Sequence, residues 1–289
     1  MDAFYLIDKP LGITSFDVLR KLKKYLSIKK MWHTGTLDPL ATGLLLVAVW
    51  NYTKLIPYFE KDVKEYEFKI SLDGTTPSFD SETEVSFLSD EKKQYFKNHL
   101  SVSQIEILLT QKFSGKITQM PPKYSALKIG WQKALDMVRK GIDFELKSRE
   151  VTIYHIEVLD FSYPELHLKA KVSAGTYIRS IASDLWEMLG TGGYITFLRR
   201  TAIGALDEKF SQKLDEFQAE AFLRESVLFW NDRFLTLSED QLENLNHGRK
   251  IKNTFLHLQK GEDYFVKSGE KISHIIHFDG LDIIPVRKI

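Results

Sequence analysis

The period of the apolar positions changes several times along the chain, and the changes lay out the elements. Phe4 to Ile7 is a short apolar strand halted by Asp8-Lys9-Pro10-Leu11-Gly12, where Pro fixes φ and Gly relieves the turn. Phe16, Leu19, Leu22 and Leu26 then recur at helical spacing behind Thr14 or Ser15, either of which can cap the helix. Leu44 to Val49 is an unbroken apolar run of buried-strand length, and Glu65 to Leu72 alternates as a half-buried strand. An acidic, turn-rich loop follows from Leu72 to Glu84, and the spacing predicts an amphipathic helix over Ser103 to Phe113. Val151 to Leu159 and Leu166 to Val172 alternate like paired strands joined at Tyr163-Pro164-Glu165. Ile178, Ile181, Ala182, Leu185 and Leu189 give a helix face ended by Gly190.

From about Leu206 the pattern predicts a charged, helical connector running to Trp230. A short helix over Ser238 to Leu245, a turn at His247-Gly248 and several short strands complete the chain. Strands mixed with helices, without regular βαβ alternation, predict an α+β fold followed by a small β-rich unit. The expected division is residues 1–230, connector included, and residues 231–289. The second unit is small and has no cysteine to staple it, so it should pack against the first.

Composition narrows the picture. The 289 residues, 43% of them hydrophobic, suffice for a full core. Forty Lys and Arg stand against 39 Asp and Glu, so any affinity for an anionic polymer must come from local clustering. The absence of cysteine removes thiolate zinc sites and cysteine nucleophiles, and suits a reducing cytoplasm. The longest apolar run, Leu44 to Trp50, is too short to cross a bilayer, and no membrane association is expected.

The richest segment chemically is His33-Thr34-Gly35-Thr36-Leu37-Asp38-Pro39-Leu40-Ala41-Thr42-Gly43, a hydroxyl-rich loop between glycines with a single carboxylate. Asp38 there reads either as a reactive acid or as an ordinary N-cap ahead of Pro39. His33 has no second His or carboxylate at ligand spacing, so no metal is expected. Ser173 to Arg179 is a strand entering a helix, with Arg179 in the first turn, where a cation opposes the helix dipole. It is either a solvated surface cation or a partner for some anion. Pro121-Pro122-Lys123-Tyr124-Ser125-Ala126-Leu127-Lys128 mixes rigid, aromatic and cationic groups, as a surface that stacks bases and touches phosphates does.

HTGTLDPLATG, the KEYEF tyrosine, PPKYSALK, GTYIRSIASDL and FLRRTAIG occur in the order seen in the TruB family of tRNA pseudouridine synthases, and LIDKPLGITSFDV resembles that family's opening. The resemblance spans about residues 4 to 204. It implies the pseudouridine synthase fold and conversion of the T-loop uridine of tRNA, position 55 in tRNA numbering, to pseudouridine. It implies Asp38 as the catalytic aspartate, Tyr66 as the active-site tyrosine, Arg179 as the arginine paired with the aspartate and Leu198 as an apolar wall of the base pocket. His33 resembles the residue that helps reorganise the T-loop; Lys9 and Tyr177 join it among the expected substrate contacts. Lys123, Lys128, the cations from Arg20 to Lys30, and Arg199-Arg200 are expected to reach phosphates. The last segment resembles a small RNA-binding PUA domain. A carboxylate suffices for such an isomerisation, so neither cofactor nor metal is expected; the implied partner is the tRNA T-arm, with the enzyme a monomer needing no protein partner. Two other classes are a tRNA-binding folding factor without chemistry and a metal-dependent hydrolase using His33 and Asp38.

One departure from the family pattern is systematic. Trp32, Trp50, Trp131 and Trp186 stand where the family usually has Gly. With Gly near 7% of residues, four of the five tryptophans fall on such positions by chance with a probability on the order of 10⁻⁴. This pattern is expected of a gene whose UGA codons encode glycine in its own host.

Overall fold

The computed structural model describes residues 2–59, 63–125, 127–223, 233–255, 257–269 and 271–289. The first unit is built on a ten-stranded mixed sheet. In chain order come β1 (Ala3–Lys9), α1 (Ser15–Leu26), β2 (Met31–Thr34), β3 (Ala41–Val49), a 3₁₀ segment (Trp50–Tyr58) and β4 (Lys64–Ser71). A small pair, β5 (Gly74–Thr75) and β6 (Ser86–Phe87), leads to α2 (Asp90–His99), α3 (Val102–Lys112) and β7 (Gly115–Gln119). The hairpin β8 (Lys128–Ile129) and β9 (Gln132–Lys133) precedes α4 (Ala134–Arg139), β10 (Arg149–Ser162), β11 (Glu165–Val172), α5 (Ile178–Leu189) and β12 (Tyr194–Ile203). The short β13 (Leu206–Asp207) and β14 (Gln212–Lys213) close the unit. The sheet runs β14-β1-β3-β12-β4-β11-β10-β7, with β2 added to β3 and β13 to β12.

Both faces of the sheet are covered, which explains the continuous apolar run of β3. Leu45 and Val47 pack with Tyr5 and Ile7 against Val18, Leu19 and Leu22 of α1. Leu44 and Leu46 point the other way with Phe4 and Leu6. The alternating β4 and β11 place Phe68, Ile70, Leu166 and Leu168 against Ile105 and Leu109 of α3 and Ile181 and Leu185 of α5. Thr14 caps α1 in a capping box with Asp17, as Thr14-x-x-Asp17 allows. Phe16, expected on the apolar face of α1, is exposed, with Arg20 and Lys23 over its ring.

One expectation is corrected and one element was missed. Leu206 to Leu223 is not a helical connector: it forms β13, β14 and two 3₁₀ turns, because β14 pairs in parallel with the edge of β1. Leu206, Phe210 and Leu214 are spaced like a helix face, but Leu206 and Phe210 pack on one face of the sheet and Leu214 on the other. Residues 224–232, the rest of the expected connector, lie outside the described residues. The polar helix α2 has no buried residue and so left no apolar period to read; Ser89 caps it.

The second unit is a five-stranded sheet, β15 (Phe234–Thr236), β17 (Asp263–Ser268), β18 (Lys271–Phe278), β19 (Asp282–Lys288) and β16 (Ile251–Lys252), with a helix at Glu239–Asn246. Its inner face has its own core around Val266 and Ile276. Its other face contributes Phe265, Ile272 and Ile275 to one cluster with Phe4, Leu44, Tyr52 and Leu55, so the two units share apolar packing. Tyr58 Oη donates to Asp263 Oδ2 at 2.9 Å across the same junction.

Candidate active site

Asp38 lies in the loop between β2 and β3, and this loop is tied down from several elements. Ser15 Oγ, at the start of α1, accepts from Leu37 N at 2.8 Å and donates to Leu37 O at 3.1 Å. Gly12 N donates to Pro39 O at 2.9 Å, and Glu82 accepts from Leu40 N at 3.0 Å. Arg200, fully buried on β12, donates Nη2 to Gly35 O at 3.1 Å and Nε to Leu44 O at 2.7 Å. At Gly43, with φ of 96°, a Cβ would collide with the Arg200 backbone, so only glycine lets β3 and β12 meet beside the loop. Pro39 does not begin a helix here, which removes the N-cap reading of Asp38.

The strand-to-helix turn of α5 delivers Arg179 to the same place. Its side chain is 4% exposed, against the solvated-cation reading. Nη2 lies 3.0 Å from Asp38 Oδ2, and Nη1 lies 3.2 Å from Asp80 Oδ2 and donates to Ser78 O at 3.0 Å. The cation in the first helical turn therefore has two carboxylates as counter-charge. Asp80 is itself fixed, its Oδ1 accepting from Ser78 Oγ at 2.6 Å and from Glu82 N at 3.0 Å. Burial pushes the Asp38 carboxyl above the ordinary aspartate range; Arg179 opposes the rise and Asp80 adds to it.

A cavity of about 300 Å³ opens above this cluster, lined by Asp38, Tyr66, Tyr177, Arg179 and Leu198 among others. Tyr66 comes from β4, whose buried positions alternate as Lys64, Tyr66, Phe68 and Ile70. Leu198 comes from β12, paired with Ala41 on one side and Phe68 on the other. Four expected residues separated by 160 positions in the chain thus share one pocket. Its size is at the lower end for ligand sites and fits one nucleoside better than a base pair. Three further cations, Lys64, Arg149 and Arg200, also line it.

Other expected contacts lie elsewhere. Lys9 is fully buried and outside the cavity lining, its Nζ donating to Pro10 O at 3.0 Å, Ile13 O at 2.7 Å and Pro39 O at 3.4 Å, so it holds the turn and the Asp38 loop. Desolvation lowers its pKa to about 8. Arg199, expected to reach phosphate, is occupied by Asp8 and Glu208, and Arg200 by the two carbonyls above. His33 is on β2, outside the cavity lining, with its ring stacked on Trp32. Burial and the nearby Arg200 hold its pKa down to about 4, which keeps it neutral at pH 7. Lys123 and Lys128 are exposed and likewise outside the cavity lining. Sequence reasoning missed Asp80, hidden in a loop read as merely acidic, although an uncompensated Arg179 called for an anion.

Residues 23–178 match the family described as TruB family pseudouridylate synthase (N terminal domain). A protein of Phocaeicola vulgatus named tRNA pseudouridine synthase B is 38% identical over 75% of this chain and 95% of its own length. Proteins of the same name from Fusobacterium nucleatum and Aquifex aeolicus are 36% and 34% identical over 94% and 91% of this chain, and 99% and 90% of theirs. Among solved structures, the crystal structure of a Cbf5-Nop10-Gar1 complex contains a chain with the same fold, at a TM-score of 0.67 and 21% identity, covering 99% of this chain and 84% of that one. The family match over more than half of the residues, and relatives aligned nearly end to end, establish that this chain belongs to the TruB family of pseudouridylate synthases.

Proposed function

We propose that the chain isomerises uridine to pseudouridine in tRNA, at the T-loop uridine, position 55. The observation that carries the reading is the Arg179 guanidinium held between Asp38 and Asp80 at the floor of a pocket walled by Tyr66 and Leu198. It supplies one oriented carboxylate beside an aromatic ring and an aliphatic wall, which suits a single base held out of its stack.

In the isomerisation the bond from the anomeric carbon to N1 breaks and one to C5 forms; the C5 proton goes to solvent and N1 gains one. Atoms and electrons balance with no oxidant or co-reactant. Asp38 acts at C6, at the anomeric carbon or on a sugar proton, and each route needs the same held carboxylate. Arg179 fixes its position with a charge-assisted hydrogen bond. Tyr66 stacks on the base and Leu198 closes the other side, offsetting the few kcal/mol lost when the base leaves its stack. The exposed Lys21, Lys24, Lys29, Lys30, Lys123 and Lys128 supply phosphate contacts outside the pocket.

Because the C5 proton is lost, tRNA transcript carrying tritium at uridine C5 reports the reaction directly. The expected result is release of one tritium per tRNA from position 55, abolished by Asp38→Asn with tRNA binding retained. Binding without release by the unmodified protein would overturn the catalytic reading and leave a tRNA-binding folding factor.

A further inference from the structure

Four cations line the cavity, and they are not equally occupied. Arg179 is neutralised by Asp38 and Asp80, Arg200 is spent on Leu44 O and Gly35 O, and Lys64 is engaged within the protein. Arg149, the first residue of β10, differs. Its Nε and Nη2 are shielded from solvent and have no hydrogen-bond partner, and among the described residues no carboxylate pairs with it.

Those two nitrogens are the side-on edge of the guanidinium, whose parallel N–H bonds match two oxygens of a phosphate or carboxylate. The edge is also held in place. The Arg149 guanidinium carbon sits 4.3 Å from the centre of the Tyr177 ring. Tyr177 is fixed through its backbone by the fully buried Gln119 amide, whose Oε1 accepts from Tyr177 N at 2.8 Å and whose Nε2 donates to Tyr177 O at 3.0 Å. On the remaining side the guanidinium lies against Gly175, with Nη1 3.5 Å from where a Cβ would stand. Unpaired buried donors on a rigid platform call for an anion that arrives with the ligand.

We infer that Arg149 is a phosphate clamp, taking the two free oxygens of a phosphodiester that flanks the flipped nucleotide. This rests on the RNA reading of the same pocket. The clamp fixes the backbone on one side of the nucleotide while Tyr66 and Leu198 hold the base, so the nucleotide is gripped at both ends before chemistry. Tyr177 serves as its platform and need not stack on any base.

The test is a cycle between protein and substrate, read as binding of a T-arm hairpin in an Asp38→Asn background, so that its outcome is independent of turnover. Arg149→Gln should weaken binding about tenfold and lower the slope of log affinity against log salt by about 0.7 to 0.9, the value of one phosphate contact. Arg149→Lys should restore the slope and only part of the affinity. A hairpin with an uncharged methylphosphonate at one of the two linkages flanking the target should bind the parent about tenfold more weakly and bind Arg149→Gln with no further loss. Additive losses at both linkages, or an unchanged salt slope, would overturn the clamp. A lowered melting temperature with equal losses on all hairpins would show a structural role instead. Tritium release by the protein with native Asp38 tests the isomerase reading separately.

Discussion

The Asp80 carboxylate lies 3.2 Å from Arg179 Nη1, on a different nitrogen from the one that Asp38 occupies. Arg179 is thus anchored from behind, and its charge is divided between the acid that lines the pocket and one that lies outside the lining. Asp80 acts on Asp38 in two opposed ways: it holds the guanidinium in place, and its negative charge raises the Asp38 pKa. Asp80→Asn should therefore lower turnover while moving the acid limb of the kcat/KM profile to lower pH, because Asp38 loses its protonated form at a lower pH. A pH–rate profile of the variant checks this; a limb moved to higher pH would show that loosening of Arg179 outweighs the lost charge.

Lys9 makes stability depend on alkaline pH. Its pKa is about 8 in the folded chain against 10.5 in the unfolded one. Between those values the unfolded state binds more protons, so stability contributed by Lys9 rises with pH across that window and is flat below it. Lys9→Met should flatten the rise while lowering stability at pH 7 by about 1–3 kcal/mol through the three carbonyls left without their donor. Urea unfolding at pH 7, 8, 9 and 10 measures both effects.

The shared cluster of Phe265, Ile272 and Ile275 with Phe4 and Tyr52 makes removal of the C-terminal unit a poor test of RNA binding, since it would expose the underside of the first sheet. Charge reversal is cleaner. Arg249 and Lys252 are exposed, and Arg249→Glu with Lys252→Glu should raise KM several-fold for full-length tRNA and flatten its salt dependence, with an isolated T-arm hairpin little affected. Equal losses on both substrates would overturn a contact of these residues with the tRNA outside its T-arm.

Trp50 carries the tryptophan pattern into the structure. Its φ is 54°, in the left-handed region where a side chain is strained, and it is 43% exposed. Trp131 is fully exposed at the turn of the β8–β9 hairpin. Trp50→Gly should stabilise the protein by about 1 kcal/mol through relief of that strain. Peptide masses from the native host should show glycine at positions 32, 50, 131 and 186; tryptophan there would end the idea of reassigned UGA codons.

The sequence made legible the parts of the fold governed by local period: β3 as a buried run, the β10–β11 hairpin and the face of α5. Asp38, Tyr66, Arg179 and Leu198 were legible as a set through their motifs, and the sheet order explains how distant segments meet. What stayed hidden depends on tertiary neighbours. Asp80 looks like any loop acid until Arg179 is beside it, Arg199 looks free until Asp8 and Glu208 flank it, and nothing in the sequence shows that three carbonyls enclose Lys9. Arg149 carries no motif at all; only its unpaired donors mark it.

The loop bearing Asp38 is fastened by Lys9, Gly12 and Ser15 from one stretch of chain, by Glu82 from a second and by Arg200 from a third. So many fastenings favour a loop that keeps its shape when a ligand arrives. On the function proposed for Asp38, the distortion needed to bring a uridine to it would fall on the nucleic acid, and RNAs would be ranked by how easily they give way. A loop whose base is weakly stacked should then be processed while the same bases in a stiff duplex pass by, and the mechanical compliance of the RNA would become a second layer of selectivity beside its sequence.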